Sequence, residues 1–468
     1  MNAQGATPPL IARCLGRWRA DFLAAHTADP ARYPFLLESA GRGGATGRYD
    51  LLLSAGPERL VLGPDATLAR PPGVPAAARG GFLAALDAWF AREALPRSAT
   101  PSDGSRLPFI GGWFLYLGYE LAQEIEPRLR LPRGPGPTAC AVRVRSAAIY
   151  DHLSGETWLV AEPAAATELG ALERRLRPLG VAEALAAIPP LALSEEDPAR
   201  YLAAVRRALE YIAAGDIYQA NLAREWHAAL PQGVTAAELY ARLRRANPGP
   251  FAALAAFPGL TLLSTSPERL VATRGARVET RPIAGTRPRT GDDARVRQEL
   301  RANAKEQAEH VMLLDLERND LGRISQAGSV AVEEYMSIES YAHVHHLVSS
   351  VAGRLRAEVT PGAVIRALFP GGTITGCPKV RCMEIIAALE GRARGAYTGS
   401  LGWLGRDGDM DLNILIRTAT IAERADGRRL SLAAGAGIVA DSDPGRELEE
   451  TRAKARGLLR GLTADPAA

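Results

Sequence analysis

The sequence predicts a mixed α/β fold, and three observations carry that expectation. Stretches with apolar residues at helical spacing alternate along the chain with short apolar runs closed by glycine or proline. The 468 residues exceed one ordinary hydrophobic core. Two or three cores of about 150 residues are expected, unless one large interlocked α/β body takes their place. Hydrophobic residues at 47% and charged residues at 23% are ordinary for a globular enzyme and exclude chain-wide disorder.

The elements follow in order. Residues 1–66 should open with a helix and continue into strands within 33–56. After the Pro/Gly/Ala stretch 69–81, a helix is expected over 82–93. The aromatic, glycine-rich run 108–120 reads as a buried strand turning into a helix. Strands fit 139–151 and 157–163, an Ala/Leu/Arg-rich helix follows, and Pro189-Pro190 closes an N-terminal region, 1–190. The second region, 191–468, starts at Asp197-Pro198, an N-cap followed by proline at the first helical position. Leu202, Val205, Leu209 and Ile212 then repeat at helical spacing. Strands are expected at 217–226, 252–257, 260–264, 269–274 and 278–282, then one long helix over 293–317. A helix at 378–389, strands near 397–403, 412–421 and 430–440, and a closing helix near 444–462 complete the reading.

Several function classes drop out. No apolar run approaches the ~20 residues of a membrane span, and residues 1–19 lack the pattern of a secretory signal. Cys14, Cys140, Cys377 and Cys382 form neither a disulfide framework nor a paired zinc motif, so a cytoplasmic protein with reduced thiols is expected. Only three of the 56 basic residues are lysine (Lys305, Lys379, Lys454), and 52 acidic residues are interspersed among them. Without clustered positive charge, a nucleic-acid partner is not expected. The three lysines instead become candidates for positions that need a compact ammonium.

Two helices carry carboxylates at i and i+3, Glu306/Glu309 and Glu447/Glu450, so each pair shares a helix face. Two solvated acidic faces and one shared Mg²⁺ site are both open readings of that spacing. Glycine-rich turns occur at 282–286, 371–379 and 435–437, and Arg417 falls in an apolar strand pattern, LNILIRTATI. A buried Arg needs an anion, which points to carboxylate recognition. His343, His345 and His346 resemble a metal cluster, but a strand turns His346 away from the other two, and no zinc set is completed. Neither a G-x-S-x-G elbow nor a dinucleotide fingerprint is present.

The runs Ser266-Pro-Glu-Arg269, Arg281-Pro-Ile-Ala-Gly-Thr286, Lys305-Glu-Gln-Ala-Glu-His310, 315–323 (DLERNDLGR), 372–379 (GTITGCPK) and 435–442 (GAGIVADS) occur together. In that order they resemble the chorismate-utilising enzymes: anthranilate synthase component I, aminodeoxychorismate synthase component I, and isochorismate and salicylate synthases. The resemblance covers nearly all of 197–465, and 36–39 and 47–49 resemble the family's N-terminal region. It implies a large α/β body in which two β-sheets pack face to face between helices. It implies Mg²⁺ at Glu306, Glu309, Glu447 and Glu450, and Glu268 as the acid that protonates the departing hydroxyl. His346 and Lys454 match active-site positions. Gln219, Thr286, Thr373, Tyr397, Arg417, Gly435, Gly437 and Lys454 match positions that hold the substrate. Leu37, Glu38, Ser39, Arg48 and Tyr49 match a tryptophan-binding region.

Water-using relatives carry a lysine base where this chain has Gln219, so ammonia is the expected nucleophile. The runs 218–222 (YQANL), 369–376 (FPGGTITG) and 111–120 (GGWFLYLGYE) resemble aminodeoxychorismate synthase component I. The expected reaction is therefore chorismate plus ammonia to 4-amino-4-deoxychorismate, a transaminase-class amination feeding 4-aminobenzoate and folate synthesis. Ala284 stands where many such enzymes carry lysine, as in anthranilate synthase component I, which is the alternative. A non-catalytic chorismate- or tryptophan-binding regulator is a third reading. No cysteine lies in a G-x-C-x-G turn, so a separate glutamine amidotransferase subunit is the expected ammonia source.

Overall fold

The computed structural model describes residues 10–41, 46–75, 80–95, 107–177, 188–289, 291–341 and 344–463. Two long antiparallel strands, Tyr49–Leu62 and Ala139–Asp151, organise the chain because each belongs to two sheets. Residues 49–54 and 146–151 lie in a first sheet, flanked by Glu156–Ala161 and Ile11–Gly16 on one side and Phe35–Glu38 on the other. That sheet continues through Phe251–Phe257, Leu260–Ser266, Thr418–Arg424 and Gly427–Ile438 to Gln219–Ala229. The other halves of the long strands open a second sheet, through Gly112–Leu117, Ser400–Gly405, Met410–Asn413, Arg269–Arg274 and Arg277–Arg281 to Val344–Arg354. A register break between Ser54 and Arg59 marks where the sheets diverge, since a bulge bends and twists its strand.

The sheets pack face to face, as expected. Phe35 of the first stacks on Phe114 of the second with ring centroids 3.9 Å apart, and Phe257 leans on both. Helices Phe22–Ala28, Ala236–Ala246 and Pro444–Thr463 cover the outer face of the first sheet. Phe82–Glu93, Pro361–Leu368 and Ala304–Gly322 cover that of the second. Strands from before and after residue 190 neighbour one another in both sheets, as Phe35–Glu38 with Phe251–Phe257 and Gly112–Leu117 with Ser400–Gly405 show.

Many elements fall where the sequence places them. Asp197 caps the helix Pro198–Ala213 by accepting from the Ala199 N–H at 2.9 Å. Three differ. Among the described residues the chain opens with the strand Ile11–Gly16, because its backbone pairs with Glu156–Ala161 and that pairing overrides local propensity. The long helix is two, Asp293–Ala302 and Ala304–Gly322. Asn303 between them leaves helical geometry, and its side chain accepts from the Glu306 N–H at 3.2 Å to start the second. Arg417 lies outside any strand, in the break between Met410–Asn413 and Thr418–Arg424. The helix Ala236–Ala246, not foreseen, begins in a capping box between Thr235 and Glu238.

Candidate active site

Glu268 sits in the turn between Leu260–Ser266 and Arg269–Arg274 and is buried. Its N–H donates to Ser266 Oγ, and its carbonyl accepts from the Ile414 N–H at 3.0 Å, which fixes the backbone. The Thr373 hydroxyl donates to Oε1 at 2.8 Å. Burial dominates and raises the carboxyl to about 7. Thr373, the Ile283 N–H, Arg417 and Lys454 favour the charged form without cancelling the burial. The result is a carboxylic acid that keeps its proton close to neutrality.

Arg417 faces this acid from a backbone held at φ +50°, an uncommon state for a residue with a side chain. The Thr265 N–H and hydroxyl both donate to its carbonyl at 3.0 Å, and Asn247 in turn donates to that hydroxyl. Among the described residues no hydrogen bond or ion pair engages its guanidinium. Burial lowers its affinity for its proton, and Glu268 opposes that only in part. A guanidinium in that state has the charge and the free donors to suit an anion.

His346 lies on Val344–Arg354 and shares a 2.8 Å hydrogen bond between Nδ1 and Thr286 Oγ1. Burial, helped by Arg417, lowers it to about 3, so the imidazole is neutral. His345 turns the other way, to Ser340 and Asp293. His343 lies outside the described residues.

The neighbouring strands Gln219–Ala229 and Gly427–Ile438 form the other wall. Gln219 Oε1 and Asn221 Oδ1 are buried there with no hydrogen-bond partner among the described residues. A Cβ on Gly435 would fall 2.6 Å from Asn221 Oδ1 and 2.7 Å from the Tyr397 hydroxyl, and one on Gly437 would fall 2.5 Å from Gln219 Nε2. Only glycine leaves room for these groups. Lys454 Nζ donates to the Gly435 carbonyl at 3.0 Å and pairs with Glu450 at 2.8 Å. Behind Tyr397 lies a pair that the sequence reading missed. The Arg394 guanidinium binds Glu390 and the Asn221 carbonyl and lies 5.5 Å from the Tyr397 ring centre.

The carboxylate pairs are less gathered. Glu306 Oε1 pairs with Arg287 at 2.5 Å, while its Oε2 is buried without a hydrogen bond among the described residues. Glu447 accepts from Ser442 at 2.6 Å. Among the described residues no three His, Cys, Asp or Glu side chains cluster as a metal set. Hard oxygen donors and the orphaned Glu306 oxygen nevertheless fit Mg²⁺ by type.

A separate cavity of about 180 Å³ opens between the sheets, lined in part by Leu37, Glu38, Ser39, Arg48 and Tyr49. Glu38 accepts from Arg244 and Tyr240, and Arg48 forks onto Asp151. No described helix is long and apolar enough to cross a membrane.

A face-packed double sheet with a buried carboxyl raised to about 7 beside a guanidinium that lacks an ion pair among the described residues is the arrangement of an enzyme site. The chain belongs to the chorismate binding enzyme family, whose model matches residues 40–460. It is similar to anthranilate synthase component 1 of Streptomyces coelicolor, with 39% identity over 93% of this chain and 84% of that one. It is also similar to aminodeoxychorismate synthase component 1 of Bacillus subtilis, with 40% identity over 82% of each. The crystal structure of anthranilate synthase component I from Streptococcus pneumoniae TIGR4 superposes with a TM-score of 0.77 at 30% identity, covering 90% of this chain and 94% of that one.

Proposed function

We propose that this chain aminates chorismate at C4, giving 4-amino-4-deoxychorismate. The buried Glu268 carboxyl, pushed up to about 7 and facing Arg417, is the observation that carries the chemistry. The runs 218–222, 369–376 and 111–120 favour this product by their resemblance to aminodeoxychorismate synthase component I. Ala284 favours the alternative, anthranilate.

Arg417 and Lys454 would hold the substrate carboxylates, with Tyr397 and the Gly435 and Gly437 backbone fitting the ring side. Glu268 would give its proton to the hydroxyl as the C–O bond breaks, so that water leaves in place of hydroxide. Ammonia would form the C–N bond with its lone pair and return one proton to the Glu268 carboxylate. Gln219 cannot remove a proton from water, which favours ammonia. Neutral His346 would act through hydrogen bonds alone. Glu306, Glu309, Glu447 and Glu450 would hold Mg²⁺, which supplies positive charge for a carboxylate. The ammonia would come from a glutamine amidotransferase subunit. Tryptophan would occupy the cavity beside Ser39.

The deciding experiment incubates the chain with chorismate, Mg²⁺ and ammonium at alkaline pH. A product that becomes 4-aminobenzoate only after a lyase is added supports the proposal. Fluorescent anthranilate formed without it overturns the C4 assignment. Glu450→Gln should abolish Mg²⁺-dependent turnover with the circular dichroism unchanged; near-normal turnover removes the metal assignment. Glutamine should replace ammonium only when the amidotransferase is present.

A further inference from the structure

A second buried carboxyl faces the turn that serves Glu268. Glu317 lies on the helix Ala304–Gly322, is only 5% exposed, and has no part in the reaction above. The turn Gly372–Ile374 stands between the two acids and holds one on each side. The Gly372 N–H faces the Glu317 carboxyl and favours its charged form, and the Thr373 hydroxyl donates to Glu268 at 2.8 Å. The turn is seated hard on the helix. A Cβ on Gly372 would lie 2.5 Å from Leu316 Cδ2 and 3.3 Å from Glu317 Oε1.

Glu317 is faced by Asp320, Lys379, Glu268 and the Gly372 N–H, and Glu268 by Thr373, the Ile283 N–H, Arg417 and Lys454. Lys379 Nζ is bound to Asp320 Oδ2 at 2.5 Å, and among the described residues no ion pair engages Glu317. Burial first, then the Asp320 carboxylate, raise Glu317 to about 7, where Glu268 also titrates. Two acids so placed exchange influence across the turn and titrate as a pair.

Resting on the acid role given to Glu268, we propose that Glu317 is a positioning residue for it. It anchors the turn that presents Thr373, and its negative charge makes Glu268 hold its proton more tightly.

Infrared pH titration of the buried carboxylic-acid bands in the full chain tests this, each band being identified by its loss in Glu268→Gln or Glu317→Gln. Gln at 317 keeps an acceptor for the Gly372 N–H and removes the charge. The Glu268 band should then titrate about one pH unit lower. The alkaline limb of kcat, measured at constant free ammonia, should move the same way. The coupling is reciprocal, so the Glu317 band should fall equally in Glu268→Gln, a reading that needs no Glu317 variant to fold. An unshifted midpoint in either variant overturns the proposal. Near-normal turnover of Glu268→Gln would instead defeat the acid role of Glu268, while the band shifts still report the coupling.

Discussion

Around the cavity between the sheets, Glu38 is satisfied by Arg244 and Tyr240, Arg48 by Asp151, and Arg269 by Asp411 and Glu279. Burial pushes both the Glu38 and the Glu268 carboxyl up, but around Glu268 the partners are missing: among the described residues Arg417 has no ion pair, and Gln219 and Asn221 carry unpartnered oxygens. Both regions are buried and polar, so burial alone does not separate them. Compensation does. Matched charges hold the strands in register, whereas unmatched ones store interaction for a ligand, as perturbed groups at functional sites do.

The contrast breaks most visibly at Glu268. Glu268→Gln should cut kcat by about a hundredfold to ten-thousandfold, the usual contribution of a general acid. The same variant should gain stability, with a definite pH signature. The folded state holds the Glu268 proton up to about 7, against 4.5 for the free side chain, so native stability falls as pH rises through that window. Denaturant titration should show Glu268→Gln gaining on the wild type by up to about 3 kcal/mol between those limits and no further above. A pH-independent difference would mean that the acid is not perturbed.

In the matched region the sign reverses. Arg244→Ala leaves Glu38 buried without its cation, and the chain should lose about 3–5 kcal/mol by the same titration. Arg417→Met should lower kcat/KM for chorismate by about ten- to a hundredfold, the worth of a charge-assisted hydrogen bond, with no loss of melting temperature. A clear drop in melting temperature would place Arg417 with the matched charges. The smallest effect belongs to Arg48, whose pair with Asp151 is part-exposed: Arg48→Ala should cost about 1 kcal/mol or less.

The same division explains what the sequence made legible. Glu268 and Thr373 lie in motif runs, Arg417 in an apolar pattern, and His346 and Lys454 at positions the resemblance matches; the structure joins the first two through the chain-distant contact Thr373–Glu268. The helix after Asp197 was legible because capping and spacing are local. Arg394 and Glu390 were not. Their run, EGRARG, reads as solvated surface, and only packing under Tyr397 and Asn221 buries it. The break at Arg417 was hidden for a similar reason. An apolar pattern continues through it, and the hydrogen bonds from Thr265 that turn the backbone are tertiary. Of the three lysines, Lys454 lies at the site and Lys379 supports Asp320 behind it.

The two strands shared by both sheets should tie the sheets into one cooperative unit on unfolding. Residues 49–62 and 139–151 cannot leave one sheet without stripping the ladder of the other. Slowly exchanging amides on both sides of the Ser54–Arg59 bend should therefore open together, with one free energy. Any molecule seated between the sheets would slow exchange throughout that unit, the distant strands beside Glu268 included, without moving a single side chain there.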